Sequence, residues 1–323
     1  MTQIDLAAPV FVAGHRGLVG SAIVRALQAR GHTRIVTRTR QELDLGRQEQ
    51  VERFFASEKP KYVHFAAAKV GGIHANNTYR AQFLSENLSI ALNVLEAARA
   101  NGVEKLIFLG SSCIYPRLCP QPMREEHLLS GPLEPTNEPY AIAKIAGVKL
   151  VETFNHQYRS GWLSLMPTNL YGPGDNYDLS GSHVLPALMR KFHEAKEAGN
   201  RPVSLWGTGA ALREFLHVDD LAQACCFALE SIDAGQAPMD LYNVGSGQEV
   251  SIRELAHLVQ QVVGHQGAIE WDATKPDGTP RKLLDTSRMQ SRGWTAKISL
   301  AQGLTRTYQD FQSEGCGLGL AQK

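Results

Sequence analysis

The stretch Pro9-Val-Phe-Val-Ala-Gly14-His-Arg-Gly17-Leu-Val-Gly20 decides the fold. Its first part, Pro9 to Ala13, is a short apolar run of the kind that fills a buried parallel strand. Three glycines follow at the spacing G-x-x-G-x-x-G. Ser21 to Arg30 (SAIVRALQAR) then repeats its apolar residues at helical intervals and stops at Gly31. A strand that runs through a glycine turn into a helix is the setting in which glycines signal a dinucleotide site. The turn lets backbone N–H groups and the positive end of the helix approach a pyrophosphate.

The next strand, expected over Thr33–Thr37, should reveal the cofactor. A free ribose 2′-OH is met by a carboxylate at that strand's end. Here Arg38, Thr39 and Arg40 come first, and no carboxylate appears until Glu42. Guanidinium groups suit a 2′-phosphate, and Arg16 inside the glycine turn can close on the same group. The expectation is NADP(H) rather than NAD(H). Asp44 and Leu45 follow, where an acidic side chain can meet the adenine edge.

Further elements alternate regularly. A helix near Gln48–Ser57 leads to a strand over Tyr62–Ala67 and the small-residue segment Ala68-Lys-Val-Gly-Gly-Ile73. Arg80–Ala100 reads as a long helix, and Lys105–Leu109 as a fourth strand. Strands alternating with helices predict a doubly wound, parallel α/β sheet of the Rossmann type. The fourth strand runs into Gly110-Ser-Ser-Cys-Ile-Tyr-Pro116, which puts Ser111 at a carboxyl end, where such sheets hold ligands.

Tyr140-Ala-Ile-Ala-Lys144 supplies the second half of the chemistry. A helix is expected over Ala141–Gln157, with Tyr140 at its start, and residues four apart share a helix face. A nearby ammonium favours phenolate, so Lys144 is expected to lower the pKa of Tyr140. Such a phenol can exchange a proton with a carbonyl or alcohol oxygen, while Ser111 hydrogen-bonds the same atom. The proline-rich loop Arg117–Glu138 is expected at the surface, as a lid. After a fifth strand over Trp162–Met166 and the segment Pro167-Thr-Asn-Leu-Tyr-Gly172, the pattern breaks into loops and short elements. The expected division is a cofactor domain over 1–174 with returning segments near 215–245, a smaller α/β substrate domain mainly over 175–315, and a flexible tail at 316–323.

Composition narrows the classes. The 323 residues carry 33 Lys+Arg against 32 Asp+Glu, which gives no electrostatic invitation to nucleic acid or an anionic membrane. The N-terminus has no charged region followed by a long apolar core, and no apolar run reaches membrane-spanning length. Five cysteines, at positions 113, 119, 225, 226 and 316, show no paired metal-like spacing. They fit reduced thiols in a cytoplasmic protein, and no metal is expected.

The glycine turn at 14, 17 and 20, the strand-end Ser111 and Tyr140-x-x-x-Lys144 together resemble the extended short-chain dehydrogenase/reductase family. Longer segments strengthen the resemblance across nearly the whole chain: FVAGHRGLVGSAI, AAAKVGGIHANNTY, FLGSSCIYP, LEPTNEPYAIAKIAG, MPTNLYGPGDN, REFLHVDD and KPDGTPRKLLD. They point to the branch that epimerises a GDP-linked 4-keto-6-deoxyhexose at the carbons flanking the ketone and then reduces the ketone with NADPH.

The resemblance implies catalytic roles for Ser111, Tyr140, Lys144, Cys113 and His183. On the residues alone, Cys113 reads as a small buried hydrophobe and His183 as a cap or surface residue; the resemblance makes them the acid–base pair. It also implies cofactor contacts at Gly14, Arg16, Gly17, Leu18, Val19, Gly20, Arg40, Asp44, Leu45, Leu109, Gly110, Lys144, Pro167, Asn169, Leu170 and His183. Lys144 would hold the nicotinamide ribose. Substrate contacts fall on Lys191, Trp206, Arg213 and Asp277. Lysine at 191 keeps the charge but loses the bidentate geometry of arginine. Trp206 is either a stacking surface or a core aromatic, and Arg213 either a phosphate ligand or an ion pair with Glu214. A homodimer built on two long helices per subunit is the family's expectation.

Three rival classes fit the residues less well. A nucleotide-sugar dehydratase needs a carboxylate after Ser112, where Cys113 and Ile114 stand. An NAD-dependent 4-epimerase is opposed by Arg38 and Arg40. A non-catalytic NADP(H) sensor has no need of Tyr140 and Lys144.

Overall fold

A computed structural model describes residues 4–313, apart from Ser180 and Pro276 and the side chains of Ile73 and His74. The expected tail at 316–323, with Cys316, lies outside the described residues.

The first half alternates as expected: β1 (Val10–Ala13), α1 (Leu18–Ala29), β2 (Ile35–Val36), α2 (Gln48–Glu58), β3 (Tyr62–Phe65), α3 (Ile73–Thr78), α4 (Arg80–Ala100), β4 (Lys105–Leu109), α5 (Glu138–Tyr158) and β5 (Leu163–Pro167). The second half holds β6 (Asn169–Tyr171), α6 (Val184–Glu197), β7 (Val203–Trp206), β8 (Leu212–His217), α7 (Val218–Ser231), β9 (Leu241–Val244), β10 (Glu249–Ser251), α8 (Ile252–Val263), β11 (Ile269–Asp272), β12 (Arg281–Lys282), α9 (Ser287–Ser291) and α10 (Leu300–Ser313).

The main sheet has the order β2-β1-β3-β4-β5-β9, with every pairing parallel. One core fills the face covered by α2, α4 and α5, with Phe11, Phe55, Phe65 and Phe108 inside it. A second fills the opposite face under α1 and α7, with Ile23, Leu27, Leu221 and Leu229. Burial on both faces explains why these strands are mostly apolar. The order reverses between β1 and β3, so their following turns splay apart and open a crevice.

While α9 packs Met289 into the core under α1 and α7, most of the remaining elements form a second lobe. There β8 pairs with β6, β10 and β12, while β7 pairs with β11. Its core lies among α6, α8 and α10, around Phe192, Leu255, Val259 and Phe311.

Some expectations change. The second strand shrinks to Ile35–Val36 because it is an edge strand with β1 as its neighbour. The third stops at Phe65, freeing Ala66 and Ala67 for the turn beneath the glycines. The fifth strand shifts by one residue, to Leu163–Pro167. α5 starts at Glu138, with Pro139 in its first turn, so Tyr140 already lies inside the helix.

The Arg117–Glu138 loop is not a free surface lid. Met123 bridges Leu284, and Glu125 is 3 % exposed, accepting the N–H of Asn243 at 2.9 Å. Asn243 also accepts from the Tyr115 hydroxyl at 2.5 Å and donates to the carbonyls of Met123 and Asp285. A buried network of this kind holds the loop against β9.

Candidate active site

The glycine turn is shaped for close approach. Gly14 has φ +84, and a Cβ there would lie 2.9 Å from the Ala67 backbone. A Cβ on Gly20 would come within 2.1 Å of the Gly14 carbonyl oxygen. Gly17 precedes α1 with no side-chain cap, so the first N–H groups of the helix face outward. That cradle fits a dinucleotide pyrophosphate. Leu18 and Val19 pack their side chains into the core beneath it, and Arg16 is exposed.

Of the two arginines after β2, one is closely paired and the other stays largely exposed. Arg38 is paired with Glu58 at 2.5 Å and lies over the Phe54 ring, which turns it toward α2 and away from a phosphate. Arg40 keeps 78 % of its side chain exposed and stands 3.7 Å from Glu86. Glu86 also takes Lys69 at 2.6 Å, which brings a further cation beside Arg40. Asp44 folds back to accept the Gly46 N–H at 3.0 Å, and Leu45 packs on the core.

At the carboxyl end of β4, Ser111 caps a short turn, its Oγ accepting the Cys113 N–H at 3.4 Å. Gly110 packs closely there, since a Cβ would lie 2.0 Å from the Met166 methyl, which would have to move. Across the cleft, α5 presents Tyr140 and Lys144. Gly147, one turn on, lets α5 approach β4, because a Cβ there would meet the Phe108 ring at 2.2 Å. Lys144 is 6 % exposed, donates from Nζ to the Leu109 carbonyl at 2.7 Å and lies 5.8 Å from the centre of the Tyr140 ring.

The electrostatics differ from the expectation. Burial raises the Tyr140 phenol above its usual range, and a Cys113 thiolate would raise it further. Lys144 does not pull it down. Its own pKa falls to about 8 by burial, and its ammonium is committed to Leu109. Burial also raises the Cys113 thiol, against which a hydrogen bond from Ser111 and the charges of Lys282 and Lys144 act.

Cys113 is therefore no isolated core thiol. It shares a charged neighbourhood with Tyr140, Lys144 and a residue not singled out in the sequence, Lys282. Lys282 belongs to a strand of two residues, β12, whose length gives no periodicity to read. It sits opposite Arg213 in register, and its pKa is lowered by burial.

His183 takes the N-cap position of α6, but its side chain makes no capping bond, and surrounding protein lowers its pKa. Its loop meets the segment after β3 through the Gly72 N–H and the Gly181 carbonyl at 3.1 Å. Pro167 is buried at the end of β5, while Asn169 donates to the Glu214 carbonyl at 2.8 Å, with Leu170 beside it in β6.

On the substrate side, Arg213 makes no ion pair with Glu214. Its guanidinium donates to the Leu212 carbonyl, and Nη2 lies 3.6 Å from where a Gly278 Cβ would stand. Asp277 accepts the Thr208 N–H at 2.6 Å and its hydroxyl at 2.7 Å, which lowers the carboxyl pKa. Trp206 is not a core aromatic: it is 69 % exposed, with Lys275 Nζ 5.9 Å from its ring. Lys191 is half-buried on α6, and burial lowers its pKa.

Comparison with known proteins agrees with this geometry. Residues 10–245 match the model of the NAD dependent epimerase/dehydratase family. The chain is 60% identical to GDP-L-fucose synthase 1 of Arabidopsis thaliana over 97% of its own length and 95% of the relative's. It is 55% identical to GDP-L-fucose synthase of Escherichia coli (strain K12), over 94% and 96% of the two chains. Among solved structures, a GDP-L-fucose synthetase from Naegleria fowleri bound to NADP superposes with a TM-score of 0.88 at 25% identity, covering 97% of this chain and 96% of that one.

Proposed function

We propose that this chain, which belongs to the NAD dependent epimerase/dehydratase family, converts GDP-4-dehydro-6-deoxy-D-mannose to GDP-L-fucose by epimerisation at C3 and C5 and reduction of the C4 ketone. The activity is supported by relatives of that name matched over nearly their whole length. NADPH, when bound on the glycine cradle, supplies the hydride. NADP(H) is the cofactor in this reading, supported by the exposed Arg16 and Arg40.

The residues divide the work as follows. Ser111 and Tyr140 hydrogen-bond the C4 oxygen, which makes the neighbouring C–H protons removable because the negative charge that develops on that oxygen is stabilised. Cys113 and His183 exchange protons with C3 and C5, one taking a proton from one face of the ring and the other returning one to the opposite face. Burial keeps the resting thiol protonated and the imidazole neutral, so the pair holds a proton and a lone pair together. Tyr140 then protonates the C4 oxygen in the reduction, and Lys144 would hold the nicotinamide ribose. Arg213, Lys191, Asp277 and Trp206 hold the nucleotide diphosphate and its sugar.

The observation that carries the epimerase half is the thiol of Cys113 set within the field of Tyr140, Lys144 and Lys282. Reduction alone needs no such group. The decisive experiment supplies the purified protein with NADPH and the 4-keto-6-deoxy nucleotide sugar in deuterated water. Loss of NADPH absorbance with deuterium at C3 and C5 of the product is expected; reduction without deuterium would leave a simple 4-reductase.

The same reading includes a homodimer through α4 and α5, whose Leu92 (49 %) and Ile142 (42 %) stay exposed in the single chain. It also includes a reducing, cytoplasmic setting, which keeps Cys113 a thiol. No helix among the described residues is long and apolar enough to cross a membrane.

A further inference from the structure

Glu214 has no part in the chemistry above, yet its side chain is wholly enclosed, at 0 % exposure. It follows Arg213 in β8, so the two side chains leave opposite faces of the strand. Backbone donors satisfy its carboxylate: one oxygen accepts the Gly247 N–H at 2.7 Å and the other the Leu284 N–H at 3.0 Å. The fit is tight enough that a Cβ on Gly245 would fall 2.3 Å from Oε1.

These two bonds join segments far apart in sequence. Gly247 lies in the turn after β9, and Leu284 follows β12. The β12 strand has just two residues, Arg281 and Lys282, and pairs with β8 in the register Lys282 to Arg213. So short a ladder cannot fix its own position. Downstream it is held by the Leu284 N–H on Glu214 and by the Leu283 N–H on Gln121 at 2.9 Å. Burial of the Glu214 carboxylate is unfavourable by itself and raises its pKa, and the backbone N–H groups offset part of that.

We propose that Glu214 is a positioning residue for the diphosphate subsite: through Leu284 it sets where Lys282 stands beside Arg213, and so how firmly a nucleoside diphosphate is held. The proposal rests on the functional reading for the identity of that ligand. Glu214→Gln keeps the shape but offers an NH₂ to one of the backbone donors, so that bond is lost and β12 is held less firmly, by the remaining bonds of Leu283 and Asp285 to Gln121 and Met123.

The test is a cycle of wild type, Glu214→Gln, Lys282→Met and the double variant, titrated with GDP by calorimetry, with NADPH affinity measured alongside. Glu214→Gln is expected to weaken GDP about tenfold. NADPH binding should change by less than about twofold, as should GDP binding when Glu214→Gln is added to Lys282→Met. Unchanged GDP affinity in a folded Glu214→Gln, or fully additive losses in the double variant, overturns the proposal. If Glu214→Gln does not fold, Glu214→Asp, which keeps the charge but not the reach, carries the same cycle under the same criteria. A wild-type protein that binds no GDP overturns the functional reading together with this one, whereas GDP binding with an unaffected variant overturns this one alone.

Discussion

Lys144 reaches the end of β4, where its Nζ donates to the Leu109 carbonyl at 2.7 Å. Burial lowers its pKa to about 8, so the ammonium is present at neutral pH and lost as pH rises through that value. The expected outcome is an alkaline limb near pH 8 in kcat/KM for ketone reduction. Lys144→Met should lower kcat by about 10²–10⁴ and abolish that limb. A limb that survives in the variant belongs to another group.

Cys113 and His183 should matter more to proton exchange than to binding. Cys113→Ser and His183→Asn are each expected to cut the rate of solvent deuterium entry into the sugar by at least about a hundredfold. NADPH affinity should stay within about threefold of wild type, because neither change removes a phosphate contact. Mass spectrometry of recovered sugar nucleotide reads the exchange. Undiminished labelling in both variants would remove them from the epimerisation.

Arg40 is an exposed cation, with Glu86 3.7 Å away. Arg40→Ala should raise KM for NADPH about 10–100-fold, the worth of charge-assisted hydrogen bonds to a phosphate, and leave NADH within about threefold. Equal losses for both cofactors would show that no 2′-phosphate is read there.

His64 carries an acid liability. It is fully enclosed in β3, and neither ring nitrogen has a hydrogen-bond partner among the described residues. Burial lowers its pKa from 6.5 to about 3, with the charges of His32 and Arg30 adding to the effect. The folded state therefore takes up fewer protons than the unfolded chain below pH 6.5. Stability is intact above that pH and falls below it, by about 2 kcal/mol at pH 5. Urea unfolding at pH 7.5 and pH 5 measures the loss, and His64→Leu should remove most of it. An unchanged acid loss in His64→Leu would assign it elsewhere.

Elements held by local rules were readable in the sequence. Arg80–Ala100 and Lys105–Leu109 occupy the bounds expected for them, because helical periodicity and an apolar run with clear stops leave little choice. The glycine turn likewise announced a doubly wound parallel sheet, and the longer segments announced the family, which the 60% identical relative supports. Features built over long sequence distances stayed hidden. The Arg117–Glu138 loop looked free because its anchor, Asn243, lies 118 residues from Glu125. Lys282 is not legible as a site residue because two strand residues make no pattern. Tyr140 was expected to have a depressed pKa because the spacing of Tyr140 and Lys144 is visible in a sequence, whereas their burial is not.

Asn243 gives the molecule a fixed jaw. Its backbone N–H, side-chain oxygen and side-chain amide together tie β9 to Glu125, Tyr115, Met123 and Asp285. Prising the walls apart at that corner breaks the whole set at once. Elsewhere the segment after β3 meets the loop before α6 through the Gly72 N–H and the Gly181 carbonyl, a contact between two residues that carry no side chain to interlock. Opening the molecule at the Asn243 corner therefore breaks four hydrogen bonds together, whereas the Gly72–Gly181 contact is a backbone bond that can part without disturbing any side chain.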